Sequence, residues 1–158
     1  MRKLNSLMNA GVLAVLVLLV AGVSAQGSNP RYGKWRLKAD APAPASNIMT
    51  YEPTSSGKGM KITIDAVNKD GVASKWGYDT MFDGKDEPLY GNLGTDTGSV
   101  RIITDRINEI IYKKNGKITQ VLTNVLSPDG TTIGVTYMRM NAEGKTTGVT
   151  FATYEKMP

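Results

Sequence analysis

A turn ending in glycine recurs along this chain at a spacing close to one strand plus one hairpin, and that repeat limits what the chain can fold into. The turns are Ser56-Gly57, Asp70-Gly71, Asp83-Gly84, Asn115-Gly116, Asp129-Gly130 and Glu143-Gly144. Their glycines fall 13 or 14 residues apart from 57 to 84, and 14 apart from 116 to 144. Asp-Gly and Asn-Gly suit tight hairpins because glycine, and to a lesser degree Asn and Asp, accepts positive φ. About ten residues of strand and a short turn fill that interval, so the chain reads as an antiparallel meander. Almost no helical periodicity competes with it between Asn29 and Pro158.

The alternation predicts strands at 33–38, 47–52, 59–67, 73–82, 86–90, 98–104, 108–113, 117–126, 131–140 and 146–155. Between the first two lies the connector 40–46 (DAPAPAS), whose prolines lack the N–H that a sheet interior requires. Met60, Ile62, Ile64 and Ala66 alternate with Lys61, Thr63 and Asp65, so one face of that strand is apolar. A meander of eight to ten twisted strands leaves two open edges unless it closes on itself. The expected fold is therefore all-β, an antiparallel up-and-down meander closed or nearly closed into a barrel. A β-sandwich is the alternative.

The first 25 residues carry the pattern of a secretory signal peptide. Arg2 and Lys3 are followed by the uncharged run Ala10–Val23, and Val23-Ser24-Ala25 offers a cleavage site before Gln26. The expectation is an exported, periplasmic or extracellular protein with a single domain over 26–158 and no stable membrane span once the leader is removed. No Cys follows the apolar run, which excludes a lipid-modified lipoprotein. Of the 19 Lys and Arg, two lie in the leader, leaving an excess of three over the 14 Asp and Glu. That charge is too small and too scattered to make a nucleic-acid face.

The chain has neither Cys nor His. An exported domain without disulfides rests on its core alone. Nucleophile systems built on Ser-His-Asp or Cys-His are impossible, and so are His/Cys sites for zinc, haem or copper. No metal and no cofactor is expected. Asp79, Asp83, Asp86, Glu87 and Asp96 could in principle support carboxylate hydrolysis or oxygen-ligated calcium. No calcium-loop spacing is present, and Lys85 sits inside the cluster, so they read as solvated turn acids.

The strand at 33–38 opens with Gly33-Lys34-Trp35. Together with the meander, Tyr51-Glu52-Pro53, the run from Phe82 to Gly91 and Tyr154-Glu155-Lys156, this G-x-W resembles small exported bacterial lipocalin-like (calycin-type) β-barrel proteins, mostly uncharacterised. The resemblance covers nearly all of the chain after the leader and implies a barrel in which Gly33 and Trp35 close one end beneath a basic side chain from a late strand, here Arg139. It brings no catalytic residue. The leading expectation is a non-enzymatic module that binds a small apolar or amphipathic ligand. Aromatic side chains supply the walls of such pockets, so Trp76, Tyr78, Tyr137 and Phe151 are the candidate lining, with Arg101 or Arg139 for an anionic head group. Gly77, Gly134 and Gly148 would leave further interior volume. The alternatives are a cell-envelope structural or protein-interaction module with a filled core and, third, a carboxylate-based hydrolase.

Overall fold

The computed structural model describes residues 28–38, 45–91 and 94–158. The leader 1–25 and residues 40–44 of the connector lie outside the described residues. Ten strands form: β1 (Gly33–Lys38), β2 (Ser46–Pro53), β3 (Met60–Val67), β4 (Ala73–Thr80), β5 (Glu87–Pro88), β6 (Thr97–Thr104), β7 (Ile107–Lys114), β8 (Lys117–Leu126), β9 (Thr132–Met140) and β10 (Thr146–Lys156). They make one antiparallel sheet in the order β4-β3-β2-β1-β10-β9-β8-β7-β6-β5, which curls into a nearly closed barrel. The sandwich alternative is set aside by this single sheet. Among the described residues no helix is long and apolar enough to cross a membrane.

The glycines of all six predicted turns adopt positive φ, between 69° and 80°, as hairpin geometry demands. Closure, however, does not fall between the first and last strands. These pair along their length, with Trp35 opposite Lys156 and Leu37 opposite Tyr154. The free edges are instead β4 and β5, and a bridge between Gly77 and Tyr90 joins them, with N···O distances of 3.1 and 3.0 Å. Glycine is required there for close approach: a Cβ on Gly77 would stand 2.2 Å from the Ile62 carbonyl oxygen and 2.5 Å from the Tyr90 hydroxyl. At Gly91 (φ +74°) one would stand 2.1 Å from the carbonyl oxygen of Lys75. The expected strand 86–90 shortens to Glu87–Pro88, because beyond the Leu89 N–H, which donates to the Asp96 carbonyl, Tyr90 turns away to pair with Gly77.

Alternation sorts each strand into an inner and an outer row. Trp35, Met60, Tyr78, Val100, Leu126 and Ile133 are fully buried. Gly134 lies between the inward Ile133 and Val135, so it is on the outer row and removes no interior volume. Gly77, between the inward Trp76 and Tyr78, is likewise outer. Gly148 stands at a register shift in β10 with open space around it. The interior is shaped by side chains, not by missing ones.

Candidate functional site

One end of the barrel is plugged. Arg31, just before β1, is buried and sends one guanidinium nitrogen to the Asn124 side-chain oxygen and the other to the Arg106 carbonyl at 2.7 Å. Its own carbonyl accepts the Trp35 indole N–H at 2.8 Å. Asn124 Nδ2 in turn donates to the Tyr51 hydroxyl at 3.3 Å. Burial lowers the Arg31 pKa, opposed by the neighbouring Tyr51, but a guanidinium has ample margin and stays charged. Lys156 Nζ lies 5.3 Å from the centre of the Trp35 ring, within cation–π range, and donates to the Pro30 carbonyl at 3.1 Å.

The basic group over Trp35 is therefore Lys156 of the last strand and not Arg139. The reason is distance along the wall. Ile133 belongs to the plugged end, and Arg139 is six residues farther on, roughly 20 Å at strand rise. Arg139 shares the inward row with Ile133, Val135 and Tyr137, but the strand outlasts the interior. Its guanidinium emerges exposed at the opposite rim, where it donates to the Thr150 hydroxyl at 3.0 Å.

Above the plug the interior holds a cavity of about 160 Å³. Met49, Ile62, Ile64, Ile110, Leu122 and Val135 supply its aliphatic wall. Trp76 and Tyr78 both meet the Tyr112 ring edge-on, at 5.9 and 6.0 Å between centroids. Hydroxyls converge in two pairs, Tyr78 with Tyr112 at 3.3 Å and Tyr137 with Tyr154 at 3.1 Å. Tyr51, Asn47, Asn124, Gln120 and Thr95 complete the polar lining. Burial raises the pKa of every one of these tyrosines, Tyr51 to about 12. Among the described residues no acidic or basic side chain lines the cavity. It is apolar walling with a few neutral polar groups, the composition of a small-molecule site. Larger hollows, up to about 540 Å³, lie on the outer surface and are shallow.

Of the residues singled out in the sequence, the fold brings together Trp76, Tyr78 and Tyr137 at this cavity. Phe151 does not join them. It is 79% exposed on the outer row of β10, while its neighbours Ala152 and Tyr154 take the inward positions. Arg101 also points outward and pairs with Glu109 at 2.9 Å. Asp83, Asp86 and Asp96 pair with Lys85, Lys113 and Lys114 at 2.7, 2.7 and 2.6 Å, outside the cavity. Hydrogen bonds from Lys85 lower the Asp83 pKa; the Asn115 backbone N–H, then Lys114, do so for Asp96. Among the described residues no group of three or more acids comes together to hold a metal ion.

Asn47, Asn124 and Arg31 escaped the sequence reading because polar residues are not expected inside. The period-two rows Asn47-Met49-Tyr51 and Gln120-Leu122-Asn124-Leu126 are the signal that places the two asparagines there. No family model, curated protein or solved structure matches this chain. Its site has to be read from its own geometry.

Proposed function

We propose that this chain is an exported, non-enzymatic binding module whose barrel holds a small, largely apolar ligand. The observation that carries this reading is the cavity of about 160 Å³, walled by aromatic and aliphatic side chains with neutral polar groups converging on it. The leader-like first 25 residues and the likeness to small exported lipocalin-like proteins support the same reading. Of the five acids considered for hydrolytic chemistry, Asp83, Asp86 and Asp96 are tied to lysines away from the cavity, and Asp79 and Glu87 line a separate hollow on the outer surface. The volume lies below the roughly 300–1,000 Å³ of sites for drug-sized molecules, which favours a single-ring ligand over a long acyl chain.

Titration of the purified protein with single-ring aromatic compounds, followed by amide chemical shifts, tests the reading. Saturable shifts are expected at residues lining the cavity. Trp76→Ala should weaken binding and Phe151→Ala should leave it unchanged, because only the first touches the cavity. A protein that takes up none of these compounds saturably would overturn the proposal. The second reading, an envelope interaction module with a filled core, is favoured by one observation: Phe151 is exposed beside Val149 and Met138 on the outer face. Intact mass of the protein recovered from periplasm or medium checks the export; a retained Met1–Ala25 segment would refute it.

A further inference from the structure

The cavity contains an unanswered polar atom. Among the buried side-chain nitrogen and oxygen atoms described, Asn47 Oδ1 is the one with no hydrogen-bond partner. Asn47 lies on the inner row of β2 opposite Ala66 and is one of the residues lining the cavity. A buried acceptor left unpaired is penalised, and a small rotation of the Asn47 amide toward the adjoining void would let a partner there answer it.

The rest of the lining defines what that partner can be. Each tyrosine pair, Tyr78 with Tyr112 and Tyr137 with Tyr154, has two hydroxyl protons and one mutual hydrogen bond. One O–H in each pair is thus left to donate elsewhere. Among the described residues no charged side chain lines the cavity, and the nearby Arg31 already gives its donors to Asn124 and the Arg106 carbonyl, so an ionised ligand group would sit there without a partner. The volume, about 160 Å³, is close to the roughly 150 Å³ of an engineered apolar cavity that accommodates benzene.

From these observations we infer that the cavity selects a neutral single-ring molecule bearing a hydroxyl or N–H, which donates to Asn47 Oδ1 while the ring packs against Trp76 and Tyr112. A hydroxyl on such a ring also accepts from one of the spare tyrosine protons. This inference rests on the reading of the cavity as a ligand site. A bound water answering Asn47 in the ligand's place is the competing arrangement, and it gives a different result below.

The test compares p-cresol and anisole, isomers of the same size of which only p-cresol can donate, with p-xylene as the apolar reference. Calorimetric titration of the purified protein should show p-cresol binding at least about tenfold more tightly than anisole, the factor that corresponds to 1.4 kcal/mol. Asn47→Leu, close in shape and without the acceptor, should collapse that ratio to near one while p-xylene binds as well or better. Circular dichroism of the variant establishes that it folds; if it does not, the wild-type comparison still decides. Equal affinities for p-cresol and anisole, or a ratio that survives Asn47→Leu, would overturn the inference and leave the binding module standing, with water at Asn47. If none of the three binds, both fall.

Discussion

The two ends of the barrel interior are built on opposite rules. At the plugged end the Arg31 side chain, the Arg106 carbonyl, Asn124, Tyr51 and the Trp35 indole form a chain in which each donor finds an acceptor. Tyr51 and Asn124 form the boundary between this plug and the cavity above it. In the half above it, an amide oxygen has no partner, two tyrosine pairs keep a spare proton each, and a void remains. Both halves mix aromatic and polar side chains. The difference is completeness, and it teaches that polarity inside a barrel stabilises only where every group is answered. Where some are not, unanswered polar groups border an open space.

Alkali should break both halves together, and this is the largest effect expected. Burial holds the tyrosine pKa values above 10 in the folded protein, Tyr51 at about 12, whereas the unfolded chain titrates near 10. The folded state therefore keeps protons that the unfolded chain releases. Stability is fully present below pH 10 and falls as pH rises toward 12. Tyrosinate absorbance and far-ultraviolet circular dichroism, followed together, should change in one step. Tyrosinate forming well before the sheet is lost would contradict this burial.

Next in size are changes to the plug. Trp35→Ala empties the most completely buried large side chain and should cost about 3–5 kcal/mol in urea unfolding. Arg31→Met leaves Asn124 Oδ1 and the Arg106 carbonyl without their donor and should cost about 2–3 kcal/mol. Arg139→Met, an equal change at the rim, should shift stability by no more than about 0.5 kcal/mol. Equal losses for the two arginines would erase the contrast between the ends. The smallest effect has the opposite sign: Asn47→Leu should stabilise the unliganded protein by about 1 kcal/mol, since it removes a group that burial penalises. A destabilised Asn47→Leu variant would mean that the amide oxygen is already satisfied.

Most of the ten-strand meander was legible because its signals are local. Each glycine turn and each alternating run is defined within about a dozen residues, and the strands fall where these place them. The inner face of β10 was harder to read. Val149 and Phe151 on one row are as apolar as Ala152 and Tyr154 on the other, so alternation alone favours the aromatic Phe151 for an inner position that belongs to the small Ala152. Position along the barrel was equally hidden. Alternation fixes the row of Arg139 but not the point where the wall ends, which depends on the tilt and register of nine other strands. The closure seam depends on strands brought together only in the finished sheet, and the pairing of β1 with β10 moved it to the middle of the chain.

That seam has a dynamic consequence. Most neighbouring pairs of strands are held by ladders of four or more registered residues, whereas β5 pairs β6 over two and β4 meets the segment at Tyr90 through one bridge among the described residues. Local opening draws first on regions with the fewest backbone bonds to break. Amide hydrogens of Gly77 and Tyr90 should therefore exchange with deuterium far sooner than those of the β7–β8 and β9–β10 ladders, at a rate set by parting of the seam and not by global unfolding. Trp76 and Tyr78, which flank Gly77, face the cavity directly behind that line. The weakest line in the wall thus runs past the void, and solvent has a way in that leaves the plug intact.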